Sequence, residues 1–317
     1  MSTDSSRASV IKKYLALFLK GMAMGAADSV PGVSGGTIAV ITRIYDELIY
    51  SIRSVDLRAV RLLLSEGIGR AWSYINGTFL LVLACGILLS LRLSAGVVLT
   101  LLENNFEALM AFFVGLVIAS SWSLKSECGR WKLPTVGILL AGMILTLLVS
   151  NLSPYTAEIG YGYLFLCGLI AICAMILPGL SGAFLLLVLG VYDFVLAALV
   201  NFELLTILVF AVGCATGLLA FSRVLSWTLS RYREYSYAFL TGMLLASVYV
   251  LWPWQQVDSF YQDSGGEPHV LQAHNVWPTD YELLTGQDPQ LVPVLISFLV
   301  GITLITGFDK LFRNSVD

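Results

Sequence analysis

The chain has 317 residues, of which 57% are apolar and only 12% charged, and its net charge is -3. Soluble domains run at roughly 45 to 50% apolar and about 25% charged, so this composition excludes a soluble module and specifies a polytopic membrane protein. The near-neutral balance gives no footing for nucleic acid, which is bound through excess Lys and Arg.

Arg7, Lys12 and Lys13 precede a first apolar block, 14–52, which runs past Asp28 with no cleavage signal and is expected to remain in the mature protein. Pro31 and Gly32 interrupt it near its middle. Plain spans of the length a bilayer requires are expected at about 77–97, 107–124 and 133–152. A second interrupted block follows at 161–201, broken at Pro178 and Gly179, and plain spans resume at about 205–228, 236–252 and 291–308. Each block reads as two helical arms around a turn. Loops that stay in the cytoplasm accumulate Lys and Arg. By that rule the segments carrying Arg53, Arg58, Arg61 and Arg70, then Lys125, Arg130 and Lys132, then Arg231 and Arg233, lie inside with both termini. The loop 253–290 has six carboxylates and no Lys or Arg, so it lies outside. It holds both histidines, His269 and His274, whose setting reads as a solvated cap over the outer mouth; no metal and no cofactor is expected. The five cysteines form no C-x-x-C and read as packing residues.

Residues 17–46 and 164–193 align without gaps at an offset of 147, with 11 of 30 positions identical. The identities gather on Pro-Gly-x-Ser-Gly, and Tyr45-Asp46 returns as Tyr192-Asp193. A duplicated, interrupted membrane helix is the mark of a secondary transporter, whose binding site is built from the two interruptions. Three crossings separate the two hairpins, so the second is expected upside down. The expected fold is all-α, with two inverted-topology repeats, 1–152 and 153–317, each a broken re-entrant hairpin plus three transmembrane helices.

The outgoing arm after each break starts with backbone N–H groups that are expected to be free and aimed into the break, a ready anion site. Ser34, Gly35, Gly36 and Thr37, with Ser181 and Gly182, are the expected phosphate-binding residues. Pro31, Gly32, Pro178 and Gly179 make the breaks. Close packing of small residues is the plainer alternative for one such motif; two polar copies favour a binding site. Asp28, Arg43, Asp46, Glu47 and Asp193 are candidates for ion coupling or charge pairing, because ionisable groups inside a bilayer face a cavity or a partner. Arg43 and Glu47, four apart, are expected to pair on one helix face. Asp46, Glu47 and Asp193 fit a place at the membrane surface equally well. Arg43 stands where the second copy has Gly190.

The runs ADSVPGVSGGTIAVITRIYDELI (27–49) and ILPGLSGAFLLLVLGVYD (176–193) resemble the bacterial polyprenyl-phosphate translocase family. The resemblance implies a transporter, not an enzyme. Such a protein returns undecaprenyl phosphate from the outer to the inner leaflet of the cytoplasmic membrane for synthesis of peptidoglycan and other envelope polymers. Its partners are that lipid and the surrounding membrane, and a homo-oligomer is compatible with it. Moving a negative charge inward against an inside-negative potential costs about 2.3 kcal/mol per 100 mV. A proton or sodium ion is therefore the expected counter-charge, carried by Asp28 with Asp46, Glu47 or Asp193 as alternates. A secondary transporter for an ion or small solute is the main alternative. A membrane phosphatase is a weaker one, because no histidine falls in the apolar blocks.

Overall fold

The computed structural model describes residues 2–28, 34–129, 131–152, 159–262 and 268–313. Pro31 and Gly32 lie outside them. The first part of the chain forms α1 (Ser2–Asp28), α2 (Gly35–Ile41), α3 (Tyr45–Arg53), α4 (Leu57–Glu66), α5 (Ile68–Tyr74), α6 (Gly77–Asn104), α7 (Phe106–Leu124) and α8 (Leu133–Ser150). The second forms α9 (Tyr161–Ile176), α10 (Gly182–Val188), α11 (Tyr192–Val200), α12 (Leu204–Arg231), α13 (Arg233–Val250), β1 (Gln255–Gln262), β2 (Pro268–Asn275), α14 (Pro278–Thr285) and α15 (Leu291–Arg313). The protein is thus nearly all-α. Among the described residues, helices α7, α8 and α12 are each long and apolar enough to cross a membrane, and the bent pairs α5–α6 and α10–α11 bring that number to five if each is one span. Four of these match expected plain spans, and the fifth, α10 with α11, is the outgoing arm of the second hairpin; α13, which opens on Arg233-Glu234, and α15, apolar over Leu291–Gly307, stand where the other two plain spans were expected.

Helices pair through glycines. The main contacts are α1 with α6, α9 with α12, α7 with α15 and α8 with α13. At each crossing one glycine per helix faces the carbonyl of the residue three before the partner glycine. Gly21 meets Leu83 while Gly86 meets Phe18, and Gly168 meets Phe210 while Gly213 meets Phe165. Gly115 meets Phe298 while Gly301 meets Phe112, and Gly142 meets Phe239 while Gly242 meets Leu139. A Cβ at any of the eight would run into that carbonyl oxygen, so only glycine lets the backbones approach this closely.

The same contacts recur along the chain at offsets that change stepwise. The offset of 147 that relates Gly21 to Gly168 becomes 127 for Gly86 and Gly213 and for Gly115 and Gly242, and 159 for Gly142 and Gly301. The first change equals the 20 residues from Leu57 to Asn76, which hold α4 and α5; between α11 and α12 only residues 201–203 intervene. The second change is taken up by the segment between α13 and α15. There β1 and β2 form an antiparallel hairpin, followed by α14. The expected solvated cap is therefore a folded unit with its own small core of Trp254, Val276 and Tyr281 on Ala111 and Val294. The Tyr281 hydroxyl donates to buried Glu107 at 2.6 Å, tying this unit to the first turn of α7. His274 Nδ1 lies 2.8 Å from Asp258 Oδ1 across the hairpin.

The outgoing arms are not single helices. In the first hairpin the Arg43 N–H bonds the Val40 carbonyl at 3.1 Å and the Ile44 N–H bonds the Ala39 carbonyl at 3.0 Å, the Schellman pattern that ends a helix. Gly190 and Val191 repeat it on Leu187 and Leu186. The pattern needs a left-handed residue, supplied by Arg43 at φ 58° and Gly190 at φ 69°. The axis then bends by 110° between α10 and α11. Arg43 is consequently in a turn, outside α3, and the helical spacing expected to pair it with Glu47 does not apply.

Candidate functional site at the paired helix breaks

Seven-residue α2 is about 10 Å long, a third of a bilayer core of about 30 Å, so it does not cross on its own. It lies antiparallel to α1. The Lys20 ammonium donates to the Thr42 carbonyl at 2.9 Å, and the Gly35 N–H donates to Asp28 Oδ1 at 2.6 Å. In the second hairpin Tyr163 donates to the Leu189 carbonyl, the position equivalent to Thr42, at 2.8 Å.

Ser34 is buried in extended conformation and caps α2. Its Oγ accepts the Gly36 N–H at 3.1 Å and donates to the Met175 carbonyl of α9 at 2.9 Å. The Thr37 Oγ1 accepts the Gly179 N–H at 3.0 Å. A Cβ on Gly36 would stand 2.5 Å from the Ile176 carbonyl oxygen. The carbonyl end of α9 therefore rests on the amide end of α2, with both dipoles favourably opposed. Gly179, at φ 82°, turns the chain after Pro178 and packs on Met243 of α13. Ser181 caps α10, its Oγ accepting the Phe184 N–H at 3.3 Å, and a Cβ on Gly182 would meet the Ala171 carbonyl oxygen.

The two breaks thus adjoin, through side-chain to backbone bonds in both directions. The amides of Gly35 and Gly36 are not free, contrary to expectation. Asp28 and Ser34 already occupy them. Cavities of about 600 and 180 Å³ lie elsewhere, one along Trp122, Lys125 and Ile302 and one beside Arg53 and Tyr74.

The other charged candidates are set apart from the breaks. Asp46 accepts from Arg233 Nη1 at 2.7 Å and from the Tyr237 hydroxyl at 2.9 Å, and Arg233 Nη2 also reaches Glu127 at 3.3 Å. Arg233 begins α13 while Met243 packs on Gly179, so this cluster lies about 15 Å from the second break along α13. Glu47 accepts from Asn76 at 3.0 Å and Arg43 donates to Ser123 at 3.2 Å. Asp193 lies in the first turn of α11. Arg233 and Tyr237 were missed by sequence reasoning: they lie 187 and 191 residues from Asp46, and no local spacing links them. Asp46 itself was marked by its match to Asp193.

The chain matches a family described as undecaprenyl phosphate translocase-like over residues 24–269. It is similar to the polyprenyl-phosphate transporter of Vibrio cholerae, 41% identical over 297 residues that cover 94% of this chain and 96% of that protein. It is also similar to the polyprenyl-phosphate transporter of Staphylococcus aureus, 31% identical over 258 residues, 74% of this chain and 85% of the other. These are names of transporters, not of enzymes. No solved structure matches the chain.

Proposed function

Because the chain belongs to the undecaprenyl phosphate translocase-like family, we propose that it transports polyprenyl phosphate, returning undecaprenyl phosphate from the outer to the inner leaflet of the bacterial cytoplasmic membrane. The phosphate head binds where the two breaks adjoin, and the isoprenoid tail stays in lipid. The observation that carries this reading is the direct contact of the breaks, Ser34 on Met175 and Gly179 on Thr37. Irregular backbone at membrane depth is tolerated where protein or a watery cavity satisfies it, and paired breaks are where transporters bind charged groups.

Residues 1–152 and 153–317 are the two repeats, in inverted orientation with both termini cytoplasmic. The matched glycine crossings and the one-sided distribution of arginines support this reading. In the cycle, a phosphate oxygen replaces Asp28 on the Gly35 amide, Ser34, Gly36 and Thr37 complete one half-site, and Ser181 and Gly182 complete the other. The displaced Asp28 takes up a proton or sodium ion, which offsets the charge carried inward. Asp46 is held by Arg233 and Tyr237 and is the weaker coupling candidate.

The test is exposure of lipid phosphate at the outer surface, read with a non-permeant probe, in cells carrying Asp28→Asn, Ser34→Ala or Ser181→Ala in turn. Outer-leaflet accumulation is expected with each. Exposure unchanged from the parent in all three would remove the breaks from the transport path.

A further inference from the structure

We propose that α4–α5 is an in-plane docking element that seats an apolar stripe in the surface of an anionic membrane leaflet. The pair is the 20-residue insertion between α3 and α6 that has no counterpart between α11 and α12. The helix crossings do not need it, so its side chains are available for another task.

The pair holds itself together. Asp56 caps α4 by accepting the Ala59 N–H at 2.9 Å, and the Tyr74 hydroxyl at the end of α5 donates to the same carboxylate at 3.3 Å. Ala59 and Ala71 are buried on the inner side. On the outer side of α4, Leu57, Val60, Leu63 and Leu64 fall within one third of the helix circumference. Leu57 is 86% exposed and Leu64 82%, and the stripe continues onto α5 at Ile68, 75% exposed. Arg61 and Arg58 follow this stripe on one flank, with Arg58 stacked on the Tyr74 ring at 5.3 Å.

Orientation names the occupant. The axis turns by 72° between α5 and α6, across the short link at Asn76. With α6 crossing the bilayer, α5 lies close to the membrane plane, at the level where headgroups meet acyl chains. A helix with a broad apolar stripe and basic flanks binds there, drawn by apolar burial and by attraction to anionic lipid. A second copy of this chain is a poorer fit, since two such faces brought together would oppose Arg58 and Arg61 to their own kind. This inference uses the membrane character of the chain alone and does not depend on the transported substrate.

The experiment places p-benzoylphenylalanine at Leu64, on the stripe, or at Glu66, off it, in the full-length protein. Each form is reconstituted into vesicles of phosphatidylglycerol with phosphatidylethanolamine, or of phosphatidylcholine alone, irradiated, and read by intact mass. Lipid adducts are expected at Leu64, several-fold above Glu66, and several-fold more abundant in the anionic vesicles. Arg58→Glu with Arg61→Glu is expected to bring the anionic yield down to the phosphatidylcholine level. Equal adduct yields at Leu64 and Glu66, a dimer-mass adduct at Leu64, or yields indifferent to lipid charge would each overturn the proposal. The Leu64 and Glu66 comparison in the native arginine background stands whether or not the charge-reversed protein folds.

Discussion

Thr37 accepts the backbone amide of Gly179 at 3.0 Å, so a side chain of the first helix break completes the backbone of the second, 142 residues away. Both atoms are buried, and each break is left incomplete without the other. Thr37→Val keeps the shape and removes the acceptor, leaving a buried N–H unpaired at a cost of about 1 to 3 kcal/mol. A lower melting temperature in detergent is expected, with Thr37→Ser close to the parent; equal melting of the valine and parent proteins would show that this bond carries no weight.

Gly36 faces the end of α9 and has no room for a side chain. Gly36→Ala is expected to abolish accumulation of folded protein in the membrane, because the obstacle is backbone. Gly69 in α5 has open space around it, and alanine there is expected to be neutral or to stabilise by up to about 1 kcal/mol through helix propensity. Folded yield after gel filtration separates the two.

Arg43 holds a left-handed turn that its counterpart Gly190 adopts freely. A non-glycine residue in that conformation costs about 1 to 2 kcal/mol. Gly190→Ala is expected to lower stability by that amount. Arg43→Gly relieves the strain but loses the bond to Ser123, so its net effect is small. Thermal melts of the two variants should differ in size, and a matched loss in both would contradict the account.

Asp46 and Arg233 are partly open to solvent, with side chains 24% and 50% exposed, so their attraction is screened. A double-mutant cycle of Asp46→Asn and Arg233→Gln is expected to give a coupling of about 0.5 to 1 kcal/mol. Strict additivity in the melts would mean that the pair does not join α3 to α13.

Burial, and then the hydrogen bond to Glu107, push the Tyr281 phenol above the usual tyrosine range. A raised folded value means that the docked state binds the proton more tightly than the undocked one. The contribution of Tyr281 to docking is therefore fully present below pH about 10 and lost as pH rises through the raised value. Absorbance of phenolate at pH 11, compared between the parent and Tyr281→Phe, should show no contribution from Tyr281; a full one would place the group in water.

The separation of α1 from α2 and the break at Pro178 were legible because Pro-Gly-x-Ser-Gly inside an apolar run has few uses. The turn that divides each outgoing arm was not. Gly190 advertises a left-handed residue, but Arg43 at the matching position reads as a helical charge. Two repeats were expected from the count of spans, but the glycine crossings were not, since each is a glycine and a carbonyl per helix, at offsets that change where segments are inserted. Reading 53–76 for its arginines alone hid the apolar stripe of α4. Occupation of the Gly35 amide by Asp28 depends on a contact across the turn, which spacing alone does not specify.

Each reciprocal pair of glycines locks two long helices like meshed teeth. Sliding one helix along its partner would drive a Cα past a carbonyl, so the four crossings behave as stiff struts. Whatever rearrangement carries cargo through this protein is left to the pieces those struts do not grip, the short helices α2, α3, α10 and α11 with the left-handed turns between them. Cross-linking across a strut should therefore leave transport intact, whereas a staple spanning Arg43 or Gly190 should stop it.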